Sequence, residues 1–542
     1  VSGQWSLTAG QWALAVAVLV VLAVACGVGA WLIASKAVPW ATGAKARTRV
    51  DVYAPAMGHG EAVEKVTRKR AETMASRLIE ADHWRKGMSP GYPLGLNIVD
   101  NTSMYTSWED MAIVLAGPRS GKSLCYAIPA VLSAPGPCLA TSNKGDILDV
   151  TAPIRRLDHP NGRIWTFDPE RIADPNRKSA PWVWDLIASV QSIADAKRIA
   201  DCWRYASGQP QTGGDDFFPG TAAQQLADYL FAAHLGGRSV SDVFRWCSNE
   251  RDTSPADILS EYPRYAGIAS RVSSVIALTP ETRSGVFGSL QTMVAFLADP
   301  EIIDWIDPHR DTEGNIDERR GLFDPYEFAT SEDTLYLLSA QGRPSTALTA
   351  SLTAVVAFTA FQRAQSEFTD NNRRLPVPLC CVLDEAANIC RWPELADVYS
   401  YFGSAGIPIM TIWQNPDQGR AAFGETNFGS LFNNANITVY LGGIKDAKFL
   451  GEISQLVGQR EIVRGSVNID GTGRRSVNNS IQKENILDVS DLTEWPVGRA
   501  LLLASQSRAQ IVKTLPWTGN RQWADALAQA KAKAREEQRK AA

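Results

Sequence analysis

The sequence predicts an α/β domain on a parallel sheet, interrupted by an all-α insertion and preceded by one N-terminal transmembrane helix. Three observations carry this. Apolar runs of strand length alternate with loops and helix-length segments on either side of residues 185–300, the signature of strand–helix–strand crossovers. Within 185–300 the strand signal fades, and segments such as SIADAKRIADCWRYA and GTAAQQLADYLFAAHLG space their apolar residues for helices. Near the start, residues 12–34 (WALAVAVLVVLAVACGVGAWLIA) carry no charge.

At about 1.5 Å per residue that run reaches roughly 30–35 Å, enough to cross a hydrocarbon core. Trp5, Trp12, Trp31 and Trp40 lie at or beyond its ends, as interfacial anchors do. A cleaved signal peptide would have a basic leader and a shorter apolar core, whereas no Lys or Arg precedes Lys36. Lys36, Lys45, Arg47, Arg49, Arg68, Lys69 and Arg70 follow the run. The positive-inside rule then leaves the N-terminus outside and everything after residue 35 in the cytoplasm. Later apolar stretches are shorter, or broken by charge and proline, so a single-pass topology is expected.

A chain of 542 residues exceeds one compact core. With 45% hydrophobic and 21% charged residues it reads as globular protein, not disordered polymer. A net charge of -4 excludes a protein coated in basic surface, but a channel or a single loop can still carry local positive charge. The eight cysteines form no CxxC pair, and the five histidines show no ligand spacing. Disulfide scaffolds and structural zinc are thereby disfavoured, and buried free thiols in a reducing compartment are expected.

The organisation follows: an anchor over 1–34, a basic linker with a short helix over 35–94, and the first part of the α/β domain over 95–184. The insertion occupies 185–300, the second part of the α/β domain 301–517, and a charged helical tail, with no evident apolar face, 518–542. Strands are expected in MAIVLAG, PCLATS, RIWTFD, TLYLLSA, LCCVLDEA, IPIMTIWQ and NITVYLGG. The stretch RGSVNIDGTGRRSVNNSIQ (464–482) reads as an exposed hairpin or mobile loop.

The chemistry lies at the strand ends. AGPRSGKS (116–123) follows an apolar strand and opens a helix, the context of a phosphate-binding P-loop. Gly117, Pro118, Arg119, Ser120, Gly121, Lys122, Ser123 and Leu124 would cradle the nucleotide. Lys122 would reach the β- and γ-phosphates, and Ser123 would ligate Mg²⁺. Strict spacing puts Ala116, not glycine, at the motif's first position. LCCVLDEA ends a buried strand in an acidic pair. Asp384 would hold Mg²⁺ through water, and Glu385 would polarise the attacking water. Gln414 ends IPIMTIWQ at the sheet edge where α/β domains bind ligands. It would sense the γ-phosphate, orient water, or simply begin a loop.

LAGPRSGKSL (115–124), TSNKGDI (141–147), VLDEAANI (382–389), GIPIMTIWQNPDQGRAAFG (406–424) and NITVYLGGIKDAKFLGEISQLVGQ (436–459) together resemble the type IV coupling proteins of the TraG/TraD kind, within the FtsK/HerA-like translocases. The insertion segments FFPGTAAQQLADYL and DVFRW resemble them too. The likeness implies a RecA-like P-loop motor using ATP and Mg²⁺, assembled as a homo-hexamer at the bacterial inner membrane. It implies an all-α domain engaging relaxase and relaxosome proteins, and passage of DNA, in single-stranded form, to a type IV secretion channel. The chain departs from the family in having one span where most members have two, in Ala116, and in YSYFGSAG (399–406), where many members carry an arginine that acts on a neighbouring subunit. Arg391 and Arg420, each six residues beyond a motor motif, are the substitutes nearest in sequence.

Three functions stay open on the residues alone. They are a DNA-translocating coupling ATPase for conjugation, a coupling ATPase that receives protein effectors, and a nucleotide-binding membrane scaffold with little turnover. No terminal DNA-reading module points to a chromosome-segregating translocase.

Overall fold

A computed structural model describes residues 48–541 except 86, 210–215, 309–319, 344 and 470–474. The expected span 12–34 lies outside the described residues. The chain divides into two compact units, 1–52 and 53–542. The first is described only from Thr48, where one turn, Arg49–Val52, is held by Thr48 N–H donating to Asp51 at 2.9 Å. All that follows concerns the second unit.

Its strands are β1 (Pro93–Asn97), β2 (Ser103–Tyr105), β3 (Ala112–Leu115), β4 (Cys138–Ser142), β5 (Ile164–Phe167), β6 (Trp182–Trp184), β7 (Gly321–Phe323) and β8 (Thr334–Leu338). Then come β9 (Cys380–Leu383), β10 (Ile409–Trp413), β11 (Ile437–Tyr440), β12 (Gln459–Ile469), β13 (Arg475–Asn485), β14 (Arg499–Ala504) and β15 (Gln510–Lys513). Eleven of them form one mixed sheet in the order β2-β1-β15-β14-β11-β3-β10-β9-β4-β8-β5. From β11 to β5 every pairing is parallel. From β11 through β14, β15 and β1 to β2 every pairing is antiparallel.

Parallel strands joined by helical crossovers are covered on both faces, so they read as unbroken apolar runs. β3 (AIVL), β9 (CCVL), β10 (IMTIW) and β11 (ITVY) are buried at every residue. The antiparallel strands are only partly covered, as in β1 and β14. Short, mixed-polarity strands give little periodic signal, and the sequence reading named none of β1, β2, β14 or β15.

Between β6 and β7, which pair with each other in parallel, the chain is helical: Ile193–Ala206, Phe217–Leu235, Val240–Ser248, Ser254–Ser260, Ala266–Ile276, Pro280–Val294 and Pro300–Ile306. Trp165, Phe167, Trp182, Trp305 and Phe323 pack edge to face where this helical unit leaves the sheet. The apolar helix Ser345–Glu367 is long enough to cross a membrane, but 78% of its apolar window is buried inside the protein. It is a core helix.

Two segments differ from expectation. The stretch read as a linker is packed, with Met57, Val63, Val66, Ala71 and Ala75 buried and Gly58 N–H donating to Ala509 at 2.8 Å. The C-terminal helix Arg521–Ala541 is not solvated all round, because Trp523, Ala526 and Leu527 lie on one face and pack against the core. Of the stretch 464–482, residues 464–469 and 475–482 lie in β12 and β13, which pair antiparallel, the first of the two expected alternatives.

Candidate active site

In register, β3 ends at Leu115 beside Trp413 of β10 and Tyr440 of β11, while Leu383 of β9 pairs with Thr411. The residues just past these ends, at 116–123, 384–385 and 414, are therefore delivered to one edge of the sheet.

Ala116 N–H donates to Trp413 O and Gly117 N–H to Gly442 O, both at 2.9 Å. A Cβ at position 117 would lie 2.5 Å from Gly443 O, so the close backbone approach demands glycine there. Ala116 is fully buried with its methyl accommodated, which accounts for alanine at the motif's first position. The loop then turns through left-handed backbone at Arg119 (φ 62°) and Gly121 (φ 89°). Ser120 Oγ donates to Gly117 O at 2.7 Å. Pro118 and Arg119 are exposed, and Leu124 is 41% exposed. A π-helical turn, Ser123–Ala127, leads into the helix Ile128–Ser133.

Lys122 Nζ donates to Asp384 Oδ1 at 2.8 Å and also to Glu385 Oε1. Ser123 Oγ lies 3.3 Å from Asp384 Oδ2. Thr141 Oγ1, on β4, donates to the backbone oxygen of Asp384 at 2.8 Å and fixes the end of β9. Glu385 has φ 56° and ψ 37°. A non-glycine residue in this region costs about 1–3 kcal/mol, and such strain gathers at functional sites. Its carboxylate is held from both sides, with Gln414 Nε2 donating to Oε1 and Asn388 Nδ2 to Oε2, each at 2.7 Å.

The site's electrostatics oppose burial with pairing. Burial raises the Asp384 pKa, and Lys122 only partly offsets that. Burial would also raise Glu385, but hydrogen bonds from Lys122, Gln414 and Asn388 bring it below the usual carboxylate range. Burial would lower Lys122, but the two carboxylates more than compensate, so it stays protonated. Beside this cluster opens a cleft of about 560 Å³ lined by Pro118, Gln414, Asn415, Arg420, Gly443 and Lys445, among others.

The structure thus brings Lys122, Ser123, Asp384, Glu385 and Gln414 together. Asn388 and Thr141 were missed, although Asn388 sits three residues after Glu385 in VLDEAANI, one helical turn away. The two candidate arginines are engaged within their own chain. Arg420 pairs with Asp417, Glu425 and Asp446. Arg391 donates to Ala387 O at 3.1 Å and Tyr205 O at 3.4 Å.

Residues 378–497, which contain Asp384, Glu385 and Gln414, match the family described as the TraM recognition site of TraD and TraG. No curated protein sequence matches the chain. The fold is similar to that of the bacterial conjugative coupling protein TrwB. The unbound form, TrwBdeltaN70, aligns with TM-score 0.55 at 14% identity, covering 85% of this chain and 96% of that one. TrwB with a non-hydrolysable ATP analogue gives TM-score 0.54 at 13% identity, and TrwB with ADP and Mg²⁺ gives 0.53 at 14%, with the same coverage. The resemblance to type IV coupling proteins of the TraG/TraD family stands on these matches.

Proposed function

We propose that this chain is a membrane-anchored, ATP-hydrolysing coupling protein that drives DNA, or DNA bound to a relaxase, toward a type IV secretion channel. One observation carries the enzymatic part: Lys122 and Ser123 at the start of a helix face Asp384, Glu385 and Gln414 at one sheet edge. The residues fit a magnesium nucleotide. Ser123 Oγ and Asp384 Oδ2 are hard oxygen donors side by side, and the loop backbone at Gly121 is uncrowded, a Cβ there meeting only Cys125 Sγ at 3.7 Å.

When bound, Mg²⁺ would neutralise charge building on the phosphates. Lys122 would leave the acidic pair for the phosphate oxygens, as its charge is needed where negative charge develops. Glu385, released from Lys122 but still held by Gln414 and Asn388, would accept a proton from the attacking water. Asp384 and Ser123 would hold the metal. Exchange of Lys122 between carboxylates and phosphates would couple nucleotide arrival to freeing of the base. Assembly as a hexamer and the single span 12–34 complete the reading, and DNA cargo rests on the coupling-protein likeness.

The test is ATP turnover of the purified chain with and without single-stranded DNA. Stimulated turnover that vanishes in Glu385→Gln supports the reading. Absence of turnover under all conditions would favour the scaffold, and stimulation only by a secreted protein the effector receptor.

A further inference from the structure

The short helix Ala386–Ile389 begins at Glu385 and carries Asn388, which is buried and donates to Glu385 Oε2. The chain continues directly into a contact with the helical insertion. Arg391 Nη1 meets the backbone oxygen of Tyr205, in the last turn of the helix Ile193–Ala206. On the same helix, Arg198 Nε donates to Glu394 Oε2 at 3.0 Å, Nη1 donates to Asp195 Oδ1 at 2.8 Å, and the guanidinium lies 3.5 Å from the ring centre of Phe358. Trp392 Nε1 reaches the same Glu394 oxygen at 3.4 Å. Arg198 is 10% exposed and Glu394 35%, so this is a partly buried ion pair between the insertion and the segment following the acidic pair. Planar stacking and a directed donor together fix the guanidinium more tightly than a surface lysine would be.

We infer that Asn388 and Arg198 are positioning residues for the Glu385 carboxylate, through which the helical insertion governs hydrolysis. This rests on Glu385 being the base. Asn388 aims the carboxylate. The Arg198–Glu394 pair holds the segment 386–394 that supports Asn388, so a ligand that shifts the helix Ile193–Ala206 shifts the base with it. Coupling of this kind needs a physical chain of contacts between the sites, and here it runs from Arg198 to Glu394, along the backbone of 386–394, and from Asn388 to Glu385.

The experiment compares steady-state hydrolysis, nucleotide affinity and thermal stability of the full-length chain in detergent for Asn388→Ala, Arg198→Ala and Glu394→Gln. Asn388→Ala should lower kcat about tenfold to a hundredfold, the worth of a hydrogen bond to a charged group, at unchanged KM. Arg198→Ala and Glu394→Gln should each lower kcat about two- to thirtyfold with affinity intact, and the swap Arg198→Glu with Glu394→Arg should restore part of it. If Arg198→Ala fails to fold, Glu394→Gln cuts the same pair from its more exposed side. Folded variants with wild-type kcat, kcat losses matched by an equal loss of nucleotide affinity, or a charge swap that restores nothing overturn the inference. Turnover persisting in Glu385→Gln instead overturns the assignment of the base, which separates the two failures.

Discussion

The two ends of the parallel strands use charge differently. At the C-terminal ends, buried acids face a lysine and an open cleft. At the N-terminal ends, two buried arginines clasp backbone oxygens. Arg374, preceding β9, donates to Trp108 O before β3, to Gly403 O and Ser404 O before β10, and to Leu78 O, while also pairing with Glu109. Arg155 donates to Ala134 O and Gly136 O before β4 and to Thr334 Oγ1 in β8. Burial lowers the Arg374 pKa to about 10, which still leaves it charged at neutral pH. A guanidinium with five donors in a plane can satisfy several carbonyl oxygens that strand ends leave unpaired. The lesson is a division of labour. The N-terminal edge spends its charges on saturated contacts that hold five strands in register, whereas the C-terminal edge keeps partners that can be exchanged.

The contrast breaks most visibly if turnover and stability fail to separate. Glu385→Gln should cut ATP turnover by about 10²–10⁴-fold, the usual worth of a general base, while leaving the melting temperature near the parent value. Parallel turnover and calorimetry measurements decide it, and a variant with near-parental turnover contradicts the role. Arg374→Ala should do the reverse. With several buried oxygens stripped of donors at about 1–3 kcal/mol each, the folded state should lose several kcal/mol. Nucleotide affinity of whatever remains folded should be unchanged, as denaturant titration beside nucleotide binding would reveal.

Two smaller effects sharpen the picture. Lys122→Met leaves Asp384 and Glu385 facing each other without a cation, and should cost about 1–3 kcal/mol at neutral pH. Asp384 already has a raised pKa, so its folded form binds a proton more readily than the unfolded chain. Its contribution is therefore present at low pH and lost as pH rises through the folded pKa. The deficit of Lys122→Met should accordingly shrink on acidification through the carboxylate range, and a pH-independent deficit would count against an electrostatic origin. The smallest effect belongs to the tail. Leu527→Ala removes a mostly buried side chain (7% exposed) and should cost about 2 kcal/mol without touching turnover. A neutral result would mean the terminal helix does not dock in solution.

Much of the site was legible because each part is local. AGPRSGKS, LCCVLDEA and IPIMTIWQ each join a strand to a polar turn within eight residues or so, and period, length and composition reveal such units. Asn388 was within reach of the same reasoning at one helical turn from Glu385, but an asparagine in a short helix has many uses. Arg198 was not, since it lies 196 residues from Glu394 in sequence. The antiparallel strands escaped for a different reason. They are three to six residues long and half covered, and they become strands through the neighbours they pair with.

The sequence by itself determined the parallel strands of the large sheet, the helical character of the insertion placed at 185–300 and the side chains waiting at the strand ends, because burial on both faces and helical spacing leave marks within a dozen residues. Only the tertiary structure decided that Gly117 rather than residue 116 must be glycine, since the contact is with Gly443, more than three hundred residues on. It alone decided that Glu385 adopts a left-handed backbone between two amide donors, that Arg391 and Arg420 are taken up by their own chain, and that two arginines brace the opposite edge. Those outcomes depend on which distant groups meet when the strands close into one sheet, and the distance between them along the chain carries no trace of the distance in space.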